Sequence, residues 1–365
     1  MADRIVLHIG APKTGTTFLQ AVLFHNQERL ADCGVLVPGS SRRDHGLAAT
    51  GARQRADGGR REDWLRMVSQ VRAWPGTAVI SNEWFSMATA DAAHRAVEEL
   101  GPAETHLVFT ARDFVDQVPA AWQETVKLGR SSSVDDFMAS LHKQRGRWRW
   151  SVLDPALALD RWRGDLPVDQ IHVVTVPPRG SAPNLLWERF ARVCQVSSDA
   201  FETLLDQARE SLGAESARLL QRSGPLLRQA VDADNGHWNE SYRWIQRYVS
   251  HQLLAPRGGS RITMRPCDVD ALRERSSLTV KALAAAGYDV VGDLADLTSA
   301  DPPAGARHPD DVTDAELLDV ALPLAADLLG EVRVQTLRAD AAEGRLQAAA
   351  NARATDPSNS DDSGH

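Results

Sequence analysis

Cysteine is scarce in this chain: three in 365 residues, Cys33, Cys194 and Cys267, odd in number and far apart. Neither a disulfide framework nor a CxxC metal site is indicated, and a reducing, cytoplasmic setting fits best. Long apolar runs are also missing. None approaches the ~18 consecutive residues that would cross a bilayer, and the short apolar run before Gly10 is interrupted by His8 and followed by no small-residue cleavage site. No membrane partner is expected. Positive charge is in deficit, with 41 Lys and Arg against 49 Asp and Glu. A net charge of -8 argues against a nucleic-acid partner, because gripping a phosphate backbone needs a basic surface. An anionic ligand must therefore be met by a local basic pocket.

What is present is enough for a large core, with 43% hydrophobic and 25% charged residues. A β-branched run, Ile5 to Ile9, ends at Gly10 and leads through a loop into the helical pattern Phe18, Leu19, Val22 and Leu23. Further short apolar runs lie at Gly34 to Val37, Thr77 to Ile80, His106 to Thr110 and Ile171 to Val176, separated by stretches of helical periodicity. Such alternation predicts an α/β fold, a parallel sheet flanked by helices. Beyond about residue 200 the pattern is mostly helical, and Trp238, Tyr242, Trp244, Ile245 and Tyr248 read as the packed face of one helix. The expected organisation is an α/β domain over 1–300, a helical C-terminal extension over 301–353, and a tail over 354–365 too polar to order.

Two basic segments stand out. Residues 41–61 carry six arginines and read as an irregular, mobile loop, either solvated surface or an edge that meets a substrate. Residues 145–150 interleave arginine with tryptophan. One short run in an acidic protein is a poor single-strand binder.

The segment Gly10, Ala11, Pro12, Lys13, Thr14, Gly15, Thr16, Thr17 sits between a buried strand and a helix start. There successive backbone N–H groups and the helix dipole converge on an anion. Its GxxxxG spacing matches a Walker A loop, but Thr16 stands where that loop has its lysine, and Lys13 comes earlier. An NTPase or kinase with Asp113 or Glu83 on magnesium is thus the runner-up, weakened by the missing lysine.

The run Pro12 to Thr17 resembles the 5'-phosphosulfate loop of the sulfotransferase family, PK[ST]GTT after a strand. The resemblance implies a P-loop-like three-layer fold. It also implies 3'-phosphoadenosine 5'-phosphosulfate (PAPS) as sulfonyl donor, the 3',5'-bisphosphate as product, and no metal. By the same resemblance Gly10, Thr14, Gly15, Thr16 and Thr17 frame the 5'-phosphate, and Lys13 contacts the bridging oxygen and sulfonyl group. The family's 3'-phosphate site is an arginine ending a strand and a serine two helical turns on. Arg112 supplies the first, Ala120 stands near the second, Gln117 is a substitute donor, and Arg179 in a later loop is a further contact; the missing serine leaves a catalytically inactive, nucleotide-binding relative as a further alternative. Transfer needs the acceptor deprotonated as it attacks. Glu83, just past a strand end and similar in place to the glutamate base of heparan-type members, is the first candidate, and His45 the second. His8 reads as a core residue. The acceptor is a small molecule or a glycan, and neither its identity nor the oligomeric state is written in the sequence.

Overall fold

Strand β1 (Ala2–His8) divides its side chains between two buried faces, Ile5 and Leu7 on one and Val6 and His8 on the other. That two-sided burial is what a parallel sheet covered by helices requires. The computed structural model describes residues 2–54, 58–143, 146–203, 211–231 and 238–354. The strands β1, β2 (Val35–Leu36), β3 (Gly76–Ser81), β4 (Glu104–Ala111), β5 (Ile171–Thr175) and β6 (Asp289–Val291) form one sheet in the order β2-β3-β1-β4-β5-β6. Every pairing is parallel, with His8 opposite Ser81 on one side and Val108 on the other.

The connecting helices are α1 (Thr16–His25), α2 (Gln27–Asp32), α3 (Arg42–Arg53), α4 (Arg61–Ala73), α5 (Ala90–Leu100), α6 (Phe114–Lys127), α7 (Val134–Ser140), α8 (Trp150–Leu153), α9 (Pro155–Arg163) and α10 (Leu185–Cys194). Beyond them come α11 (Ala214–Ala230), α12 (Trp238–Glu240), a π-helix over Ser241–Leu254, α13 (Pro266–Ala286) and α14 (Asp314–Ala354). Helices α3, α4, α5 and α9 cover the Ile5 face, packing Trp64, Met67 and Trp162 against it. Helices α1 and α10 cover the Val6 face with Leu19, Val22, Trp187 and Phe190. A separate core, built from Trp122, Phe137, Leu220, Ile245 and Leu272, joins α6, α7 and α11 to the π-helix and α13. The predicted α/β architecture, with its helical second half, is therefore what forms. The tail after Ala354 lies outside the described residues.

Several expectations need correction. Residues 42–53 of the expected loop are a helix, because Asp44 Oδ2 accepts from the amides of Ser40 (2.9 Å) and Ser41 (3.1 Å) and fixes the start of α3, and Arg61 opens the next helix. Residues 55–57 of that segment are outside the described ones. Helix α6 starts at Asp113, which caps it by accepting from Val115 N at 2.9 Å, and so carries Pro119 in its interior. Tyr242 and Trp244 are exposed, while Ser241, Ile245, Val249, Ser250 and Leu254 are buried. An i→i+5 helix advances its inner face by more residues per turn than the α period predicts, and Ser250 Oγ accordingly donates to Ile245 O at 2.7 Å.

Strand β6 was not foreseen. Its three residues are held by a chain of polar side chains: His172 Nδ1 donates to Asp289 (2.7 Å), His106 Nδ1 donates to His172 Nε2 (2.8 Å), and Arg4 donates to His106 Nε2. Glu104 lies 3.1 Å from that last nitrogen and balances the Arg4 charge. One set of neutral tautomers satisfies the three donated bonds from Arg4 to Asp289. Burial, with Arg4 and His172 nearby, holds His106 down at about 4, and burial alone holds His8 at about 3. An unfolded histidine takes its proton near 6.5, so below that pH the unfolded chain binds protons the native state refuses. The stability these neutral histidines contribute is complete above about pH 6.5 and is lost as pH falls towards 4. Urea unfolding at pH 7.5, 6 and 5 should show this decline, and His106→Gln should flatten it by up to about 1.4 kcal/mol per pH unit. An unchanged slope would remove His106 from the account.

Candidate functional site

The loop between β1 and α1 is held in a conformation few side chains tolerate. Gly15 has φ +84°, and a Cβ there would come within 2.4 Å of Leu186 Cδ2, so any other residue would be strained and would push that leucine aside. A Cβ on Gly10 would meet His8 Nε2 at 2.7 Å and Thr110 Oγ1 at 3.0 Å. Lys13 is itself left-handed, φ 70°, an uncommon state for a side-chain-bearing residue. The loop is braced from beneath. Thr14 Oγ1 donates to Ala11 O and bonds Thr110 Oγ1, both at 2.6 Å, while Thr16 Oγ1 donates to Ala11 O at 3.3 Å. His8 completes the floor, bonded to Ser81 Oγ (2.8 Å) and Thr110 Oγ1 (3.1 Å).

With those hydroxyls turned inward, no side chain caps the N-terminus of α1. Its first N–H groups and its dipole face outward above the sheet end, the arrangement that binds an oxyanion. Thr17 is exposed and its hydroxyl has no partner among the described residues, so it is free to meet a ligand.

Helix α6 supplies the next layer. Gln117 is fully buried and donates to Pro12 O at 3.0 Å, so it pins the loop and does not reach a ligand as a phosphate donor would. Arg112 donates to Lys13 O (3.2 Å) and pairs with Asp116 at 3.3 Å, and Arg179 pairs with the other oxygen of Asp116. The two arginines singled out for the 3'-phosphate therefore meet. They line a cleft of about 190 Å³ with Asp113, Pro177, Pro178, Asp296, Ser299 and Asp301. Asp113 spends both oxygens on backbone amides, Val115 and Ala300, each at 2.9 Å. A larger hollow of about 470 Å³ between α3 and α4 contains no loop residue.

Lys13 reaches Glu124 at 3.0 Å, and the same carboxylate oxygen takes Lys127 at 2.9 Å, while Gln246 of the π-helix donates to the other oxygen at 2.9 Å. Burial alone would raise the Glu124 pKa, but the ammonium groups of Lys13 and Lys127 prevail and bring it to about 2. The sequence reading missed Glu124, Asp116 and Ser299. A signal existed for the first: Gln117 and Glu124 lie on one face of a helix, so a helix that touches the loop with Gln117 brings Glu124 along.

Of the two proton acceptors, His45 is no longer available. It lies buried in α3, Nε2 donates to Pro38 O (2.7 Å), and Nδ1 accepts from Ser81 N (3.1 Å). Burial lowers its pKa against the opposing pull of those carbonyls. Glu83 is placed otherwise. It opens a 3-10 turn (Glu83–Met87) directly after β3, at the sheet end that carries the loop. Asn82 Oδ1 caps that turn by accepting from Trp84 N at 2.9 Å, and the half-buried Glu83 carboxylate has no partner among the described residues.

Glu124→Gln should remove the negative charge that Lys13 and Lys127 share and cost about 3 kcal/mol of stability at pH 7. Because the native carboxylate stays ionised far below an ordinary glutamate, the difference from wild type should be full above about pH 5. It should narrow as pH drops through 4 towards 2. Paired urea titrations read this directly, and equal midpoints for the two proteins would show that the pair adds nothing.

Comparison with known proteins gives little beyond this geometry. No family model matches the chain, and no curated protein matches it. Among solved structures, the crystal structure of a sulfotransferase from Alicyclobacillus acidocaldarius is similar at 15% identity with a TM-score of 0.40, covering 66% of this chain and 99% of that one. A likeness at that level carries no functional weight, so function must be argued from the loop and its surroundings.

Proposed function

We propose that this protein is a sulfotransferase that moves the sulfonyl group of PAPS to a hydroxyl or amine of an acceptor. The observation that carries the reading is the loop Gly10 to Thr17. An uncapped helix N-terminus there stands beside a lysine placed before the second glycine, not after it. Loop amides with Thr17 would hold the 5'-phosphate. Arg112 and Arg179, in the cleft that adjoins the loop through the Arg112 to Lys13 O bond, would take the 3'-phosphate once Asp116 gives way, with Ser299 offering a hydroxyl in place of the one Ala120 lacks.

In this reading the acceptor oxygen or nitrogen attacks sulfur in line, the bond from sulfur to the bridging phosphate oxygen breaks, and the bisphosphate departs. The acceptor proton passes to Glu83, whose unpaired carboxylate lies at the same sheet end. Charge grows on the departing oxygen. The Lys13 ammonium, freed from Glu124 as the nucleotide binds, stabilises that charge more in the transition state than before it. No step in this sequence calls on a metal.

A thermal-shift titration separates the readings. A ligand that binds only the native state adds about 2.7 kcal/mol at a hundredfold excess over Kd. We expect a shift with 3',5'-adenosine bisphosphate in EDTA and no added shift with magnesium; a magnesium-dependent shift with ATP alone would move the protein to the kinases. Lys13→Ala should abolish sulfonyl transfer while the protein stays folded, and transfer surviving in that variant would defeat the mechanism. Arg112→Ala and Arg179→Ala should each weaken the bisphosphate about tenfold, since a charge-assisted contact is worth about 1.5–3 kcal/mol. Adenosine 5'-phosphate, which lacks the 3'-phosphate, should bind these variants as it binds wild type.

A further inference from the structure

The turn that carries Glu83 is ringed by guanidinium groups. Arg53, from the end of α3, places Nη1 3.4 Å from Met87 Sδ. Arg149 directs Nη2 towards Met87 O at 3.5 Å, and Arg161 of α9 donates to Ser86 O (2.7 Å) and Ala88 O (3.2 Å). Arg147 lies over the ring of Trp84, 5.6 Å from its centroid, and over Trp148 at 5.7 Å. Three separate stretches of chain thus bring four positive charges to one short turn.

Elsewhere in the site each cation touches a carboxylate: Lys13 pairs with Glu124, and Arg112 and Arg179 share Asp116. Here no carboxylate is within ion-pair distance of any of the four among the described residues. Their hydrogen bonds go to carbonyls, a hydroxyl and a thioether. Asp160, next in sequence to Arg161, eases that one charge from a distance. All four side chains are partly buried, so water screens them incompletely. Burial lowers the pKa of Arg53, and Arg147 and Arg149 lower it further, the mark of like charges held together. Arg161 has committed its donors to the backbone and contributes charge alone. Arg147 makes no hydrogen bond among the described residues, and Arg53 and Arg149 each keep an Nη group whose protein partner is absent or marginal.

We propose that Arg53, Arg147 and Arg149 form an oxyanion subsite that recognises an acceptor already bearing a sulfate, phosphate or carboxylate group. Its placement as part of an acceptor site rests on the transfer reading above: an anionic group seated there brings the rest of the molecule to Glu83. Trp84, half-buried beneath Arg147, offers a flat surface for a ring of that acceptor. The subsite itself makes no demand on the donor nucleotide.

Isothermal titration with sucrose octasulfate, with sucrose as the neutral control, tests the subsite. Wild type should bind the octasulfate and ignore sucrose. Arg147→Ala and Arg149→Ala should each lose about tenfold in affinity, and Arg147→Lys should lose less, because charge is kept and only the fork is gone. Lys13→Ala should bind within about twofold of wild type. Unchanged melting of each arginine variant, read in parallel, shows that the loss is one of contact and not of folding. Inositol hexakisphosphate and mellitate, run alongside, identify the preferred oxyanion by their order of affinity. Octasulfate binding that survives both alanine substitutions, or that disappears with Lys13→Ala, would overturn the proposal. Octasulfate binding through Arg147 and Arg149 in a protein that ignores the adenosine bisphosphate would leave the subsite standing and bring down the donor assignment instead.

Discussion

A carboxylate between two ammonium groups holds this molecule's halves in register. Glu124, on α6 with Lys127 one turn further on, joins the loop at the sheet end, through Lys13, to the π-helix, through Gln246. Three buried or half-buried charges in one place are costly to desolvate, and the cost is offset only while all partners are present. Lys13 meets that carboxylate from a left-handed backbone, an angle a side-chain-bearing residue seldom adopts. The position of α6 is in turn fixed by Asp113 at its start and by Gln117 against Pro12. Loop shape and helix position are therefore one constraint seen from two sides.

The same logic runs through the cleft beside it. Asp116 occupies both Arg112 and Arg179, so the positive charge there is partly offset at rest. An acidic protein can keep such a pocket only by supplying internal counter-charges, and an incoming anion gains the difference between its own contacts and those of the carboxylate it displaces. The guanidinium cluster around Met87 lacks that internal compensation. One site exchanges anions, whereas the other is left in need of one.

How much of this could be read in the sequence depended on how local the cause was. Five strands announced themselves as short β-branched runs, and the loop by its glycines and the flanking strand and helix. Strand β6 has three residues and no such run, and it exists because Asp289 answers His172 across the sheet. His45 looked like a free base because it lies in an arginine-rich segment read as a loop. Its burial comes from Pro38, Ser81 and Phe24, which only the fold assembles. The arginines around Met87 come from positions 53, 147, 149 and 161; the two basic segments showed as separate runs, and that they meet with Arg161 at one turn is written only in the fold. The tryptophans beside them, read as a run, are divided in place: Trp150 joins the core with Phe114, while Trp148 stays half-buried under Arg147.

The π-helix over Ser241–Leu254 carries Gln246 to Glu124 on a backbone wound one residue wider per hydrogen-bonded ring than an α-helix. Such a winding stores a surplus residue in every ring. Losing a single residue upstream of Gln246 would let the segment relax into the commoner helix and turn that side chain away from the carboxylate. The length of this stretch, more than its composition, is then what natural variation has to preserve.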